Sequence, residues 1–112
     1  MGKVFSVQTI DLKPGVSEAD LEEFVRNLQA VAPGLIVYVA KGDRGVHNGH
    51  YAVIVEFESA EVRDRYFPSP DEVSEEWNRV SAPVAAEMER FSQMTTWPSA
   101  EYTDYHVIGQ SK

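Results

Sequence analysis

Residues 50–73, HYAVIVEFESAEVRDRYFPSPDEV, constrain this chain more than any other stretch. Tyr51, Val53, Val55 and Phe57 alternate with His50, Ala52, Ile54, Glu56 and Glu58, the period-two pattern of a strand over 51–58. The change from Ile54 to Glu56 on the second face predicts that this strand runs out toward solvent at its end. Ser59 then supplies a helix N-cap, and a short helix over 59–67 is stopped by Pro68-Ser69-Pro70. The segments on either side read as the two halves of a small α+β fold.

The first half begins with a strand from Val4 to Leu12, in which Val4, Ser6, Gln8, Ile10 and Leu12 share one face and Phe5, Val7 and Thr9 the other. Apolar residues on both faces predict that both are covered, which makes Ser6 and Gln8 polar groups in the middle of a buried face. Lys13-Pro14-Gly15 ends the strand. Ser17 and Asp20 have a variant of capping-box spacing, and Leu21, Phe24, Val25, Leu28 and Val31 mark the stripe of an amphipathic helix that Pro33-Gly34 terminates. A second strand over 35–41 follows, and the glycine-rich stretch 42–49 is a hairpin loop into the 51–58 strand.

In the second half, Val73, Trp77, Val80, Val84, Met88 and Phe91 recur at helical steps, so a longer helix is expected from about Asp71. Pro83 lies inside that pattern and predicts a kink or two helices meeting at Ser81-Ala82. Residues 92–97 and 102–108 are both short strand candidates; the second is preferred as the closing strand. The order is β-α-β-β-α-β with a broken second helical region, the ferredoxin-like plan. Helices cover one face of such a sheet. The other face here is substantially apolar, which predicts burial against a second copy, a homodimer closed sheet against sheet as a two-subunit barrel.

Length and charge narrow the partners. At 112 residues the chain is expected to be one domain, and the formal charge of −8, with ten basic residues scattered among eighteen acidic ones, argues against nucleic acid or an anionic membrane. There is no cysteine, so thiolate chemistry, disulfides and cysteine metal sites are excluded. No apolar run reaches membrane-spanning length and the first residues carry no secretory pattern, so a cytoplasmic location is expected. Met1-Gly2 with Ser6 matches a loose myristoylation pattern, but Ser6 reads better as part of the first strand.

Leu12-Lys13-Pro14-Gly15-Val16-Ser17, the acidic amphipathic helix after it, and Val55-Glu56-Phe57-Glu58-Ser59 before Tyr66 resemble the stress-responsive dimeric α/β-barrel (Dabb) family. The resemblance spans about residues 3–92 and leaves 97–112 partly unmatched. It implies a homodimer with a small pocket in each half. The wider superfamily includes cofactor-free monooxygenases, haem-degrading enzymes, muconolactone-type isomerases and a plant polyketide cyclase. The cyclase resemblance implies acid–base chemistry around 66–73: Tyr66 matches its tyrosine, Pro70 and Val73 match the neighbours, and its catalytic histidine falls on Glu72. Two further pocket histidines fall on Ser6 and Tyr51. The tyrosine is kept and the histidines are not.

Glu72 and Tyr66 are therefore the candidate catalytic pair. A carboxylate at a pocket mouth can act as proton shuttle while a phenol orients an enol or phenolate oxygen. The competing reading puts Glu72 in the first turn of a solvent-facing helix, beside its positive end, with Tyr66 as packing. Ser6, Gln8 and Tyr51 have the look of sparse polar anchors in an apolar cavity, with Trp77 added as an aromatic wall; equally, they satisfy one another in a packed barrel. Trp77, Trp97, Tyr102 and Tyr105 belong to core or interface in that second reading. His47 and His50 flank a turn without a third ligand near them, and His106 stands alone, so no metal and no cofactor is expected, although one axial histidine suffices for haem. Two function classes follow. One is a cofactor-free isomerase, cyclase or monooxygenase acting on a small organic molecule. The other is a non-catalytic stress-related or structural dimer with a filled or vestigial pocket.

Overall fold

The structure is a computed structural model that describes residues 2–28, 31–96 and 101–111. Its elements follow the expected order: β1 (Val4–Leu12), α1 (Glu18–Asn27), β2 (Leu35–Lys41), β3 (Tyr51–Phe57), α2 (Ala60–Tyr66), α3 (Glu75–Ser81), a 3₁₀ turn (Ala82–Val84), α4 (Ala85–Met94), β4 (Thr95–Thr96) and β5 (Thr103–His106). β3 lies between β1 and β2, antiparallel to both, and β4 and β5 share the outer edge of β1. β2 and β3 are neighbours joined by the hairpin, while the connections from β1 to β2 and from β3 to the outer edge of β1 each skip one strand and are filled by helices.

Register assigns the two faces. Val4, Ser6, Gln8 and Ile10 stand opposite Phe57, Val55, Val53 and Tyr51, and these in turn opposite Leu35, Val37, Val39 and Lys41. This is the helix-covered face, since Val4 and Ile10 are fully buried in a cluster with Leu21, Phe24, Phe57, Tyr66 and Phe91. Phe24 of α1 stacks on Phe91 of α4, ring centres 4.4 Å apart, which ties the first crossover to the second. The alternate residues of each strand form the opposite face, which no element among the described residues covers.

Capping explains where α1 starts. Ser17 Oγ accepts from the Asp20 backbone N–H and the Asp20 carboxylate accepts from the Ser17 N–H, the full reciprocal box. That backbone hydrogen bond from Ser17 holds the Asp20 carboxyl below its usual range. Ser17→Ala is expected to lower stability by about 1 kcal/mol and the melting temperature by roughly 4–8 °C, read by differential scanning calorimetry.

Three expectations are corrected. The second long helix begins at Glu75, not near Asp71, because Ser74 caps it by accepting from the Trp77 N–H; Asp71 and Glu72 lie in a turn before it. The closing strand is not a choice between two segments. Thr95 and Thr96 pair with Leu12 and Asp11, while residues 103–106 pair with Val7 to Val4, so both extend the same edge. Glu56 does not lead β3 out to solvent. It is flanked by Phe5 and Ile36 and held by Lys3 and Tyr38, and Phe57 beside it is buried. The break at Pro83 occurs as expected: α3 ends at Ser81 and proline sits in the first turn of the 3₁₀ segment. Trp97 lies outside the described residues.

Candidate functional site: a cleft beside the 67–74 arch

Ser59 starts α2 by accepting from the Val62 N–H, and Phe67 ends it. The chain then arches over 67–74. Pro68 and Pro70 cannot donate to a helix ladder, and the Glu72 N–H closes a turn onto the Ser69 carbonyl at 3.1 Å. Ser69 Oγ donates to the Glu72 carboxylate at 3.0 Å, and the Ser74 N–H returns to the Tyr66 carbonyl. Aromatic rings pin the arch from inside: Phe67 lies 4.8 Å from Trp77 and 5.9 Å, edge-on, from Phe57.

Between the arch and the sheet runs a cleft of about 570 Å³, in the size range of small-ligand sites. Ser6, Gln8 and Val55 form its floor, and Phe67, Pro68 and Glu72 stand on the arch side. Asp104 of β5 and Tyr102 just before that strand border it on the outer side. Arg63 of α2 reaches across to Asp104 at 3.1 Å and also holds Asp64 at 3.0 Å. The other Asp104 oxygen is buried and meets no hydrogen-bond donor among the described residues. Val55 is the apolar part of the floor, and Ser6 and Gln8 are its polar anchors. The rim is charged.

The structure brings together Ser6, Gln8 and Glu72. It places Tyr66, Trp77 and Tyr51 elsewhere. Tyr66 is fully buried, and its hydroxyl donates to the Pro33 carbonyl at 2.7 Å, away from the cleft. Trp77 packs behind Phe67, its ring 5.8 Å from Tyr66. Tyr51 lies four residue pairs along the sheet from Val55, where its hydroxyl donates to Glu18 at 3.2 Å beneath Lys41. The Lys41 and Tyr51 hydrogen bonds keep the Glu18 carboxyl below its usual range. Sequence reasoning passed over Arg63 and Asp104. Forty-one residues separate them, and no local pattern joins a mid-helix arginine to a strand aspartate.

Among the described residues no group of three or more His, Asp or Glu side chains could hold an ion. The His47 and His50 rings stand 6.4 Å apart edge-on, and His50 Nδ1 lies 3.3 Å from Asp11. No described helix is long and apolar enough to cross a membrane.

Comparison with solved structures follows this geometry. The chain is similar to a dimeric protein of unknown function and ferredoxin-like fold from Bacteroides fragilis, with a TM-score of 0.53, 15% identity and coverage of 96% of this chain and 98% of that one. The fold is ferredoxin-like. The same architecture relates the chain to At3g17210 from Arabidopsis thaliana, with a TM-score of 0.54, 19% identity and 97% of each chain covered. No protein-family profile matches the sequence, and no curated protein does. At such identities the ferredoxin-like likeness speaks for architecture alone, and function has to be argued from the cleft.

Proposed function

We propose that this protein is a cytoplasmic homodimer that binds a small organic molecule in the cleft of each subunit. One observation carries the reading: Ser6 and Gln8, polar residues between the buried Val4 and Ile10 on the helix-covered sheet face, lie on the floor of a cavity of ligand size. Two polar side chains at these strand positions offer hydrogen-bonding groups to a ligand beside the apolar surface of Val55. The ligand best suited is flat and largely apolar, resting against Val55, Phe67 and Pro68, with one polar end at Ser6 and Gln8. The dimeric state of the Bacteroides fragilis protein and the uncovered apolar sheet face support the homodimer.

Tyr66 separates binding from catalysis. Its hydroxyl is committed to Pro33 and its ring is in the core, so the tyrosine paired with Glu72 in the cyclase reading does not reach the cleft, whose rim phenol is Tyr102 instead. This favours a binding protein over an acid–base cyclase. Should the site turn over its ligand, Glu72 is the proton shuttle, and Glu72→Gln abolishes turnover while leaving binding in place.

The test is a ¹⁵N NMR titration with a panel of small phenols, enols and polyketide-like aromatics. Saturable shifts confined to the amides of Ser6, Gln8, Val55, Phe67 and Glu72 are expected. Ser6→Trp, which fills the floor, should weaken that binding at least about 30-fold, equivalent to roughly 2 kcal/mol, in a chain that still folds. Shifts absent for the whole panel, or unaffected by Ser6→Trp, would sink the cleft as a binding site.

A further inference from the structure

The uncovered sheet face carries apolar side chains from four of the five strands: Phe5 and Val7 of β1, Ile36 of β2, Ala52 and Ile54 of β3, and Tyr105 of β5. Ile36 and Tyr105 are more than half exposed. Of the eighteen acidic residues, the strand positions on this face hold two: Asp11, beside His50 at one end, and Glu56. The other sixteen lie off those positions, so a copy approaching this face meets little like charge there. Glu56 is the exception that needs a reason. It stands on the central strand between Phe5 and Ile36, 2.8 Å from Lys3 Nζ, and accepts from the Tyr38 hydroxyl at 3.0 Å. Two strands and the residue just before β1 contribute to this one cluster, and the Glu56 side chain is 14% exposed.

We propose that the Lys3–Glu56–Tyr38 cluster is the register lock of the interface between two copies of this chain. The inference rests on the homodimer part of the reading above and is independent of the cleft. In water such an ion pair contributes little to stability, so the monomer alone gives it no role. Between two apolar sheet faces it becomes decisive. Apolar side chains slide over one another at small cost, whereas a cluster with one cation and one carboxylate is self-complementary about a two-fold axis in one alignment only. Out of alignment, each copy presses a charge onto the partner's apolar surface, which is costly. Lys3 and Tyr38 are the charged or titratable groups that meet Glu56; Asp11 and His50 lie at the far end of the face.

Sedimentation equilibrium of the full chain, with circular dichroism to confirm folding, tests this. Glu56→Gln and Lys3→Met should each weaken the dimer at least about tenfold, since each leaves one charge unmatched. The double variant Lys3→Met/Glu56→Leu should return to within about threefold of the parent, because the whole cluster is then apolar. Register is read separately. The chain has no cysteine, so Glu22→Cys on the exposed side of α1 accepts a single spin label. Label-to-label distances should form one narrow peak in the parent background and broaden in the double variant. Dimer constants that stay within twofold in both single variants, or a double variant that fails to recover or keeps the narrow peak, would overturn the lock and leave the homodimer standing. A monomeric parent would overturn the homodimer along with it, without touching the cleft.

Discussion

Tyr66→Ala is expected to destabilise the chain by about 3–5 kcal/mol, the range for removing a large aromatic from a packed core. Tyr66 is fully buried and meets Trp77 on one side, so its removal leaves a cavity that rigid strands cannot close. Tyr66→Phe separates the hydroxyl from the ring. It removes the 2.7 Å hydrogen bond to the carbonyl of Pro33, an exposed residue, which should cost about 0.5–1.5 kcal/mol. Urea unfolding monitored by tryptophan fluorescence measures both. A Tyr66→Phe chain as stable as the parent would mean that the hydrogen bond contributes nothing. The same variant bears on function: ligand binding in the cleft should be unchanged, because the phenol does not face it.

Gly34→Ala should cost about 2–4 kcal/mol, from two sources that add. Gly34 has φ +84°, in the left-handed region that an alanine enters at a penalty. A Cβ there would also lie 2.8 Å from Val62 Cγ1, and Val62 belongs to α2, whose position is fixed from both ends. The Pro33-Gly34 corner cannot shift to relieve this. Its two carbonyls accept from the Tyr66 hydroxyl and the Glu58 N–H at 2.8 Å, which fasten the end of the first crossover to the start of the second. Gly15→Ala is the control. Gly15 has a comparable φ of +88° but open space around it, so it should show the backbone penalty of about 1–2 kcal/mol alone. Equal losses at the two positions would mean that Val62 yields and the contact is immaterial.

The amino-acid sequence by itself determined the element order, the capping box at Ser17, the break at Pro83 and the apolar nature of both sheet faces. Each of these rests on neighbours within a few residues, where periodicity, side-chain hydroxyls and the fixed φ of proline act directly. Ser6 and Gln8 were legible as cleft residues for the same reason, since two polar side chains interrupt an apolar face at a spacing of two. Glu72 was legible only through the proline-rich arch around it, and its setting in a turn was not, because Ser74 outcompetes Asp71 as the helix start by bonding Trp77. The tertiary structure alone decided the rest. Tyr66 went to Pro33 and the core instead of the cleft, and Tyr51 went to Glu18, because a phenol takes whichever acceptor the packed backbone brings within reach. Arg63 met Asp104, and Lys3 met Glu56, across 41 and 53 residues of chain. The edge of β1 took two short strands where one was expected. Such pairings depend on where strands and helices settle against one another, and no spacing along a single chain encodes them.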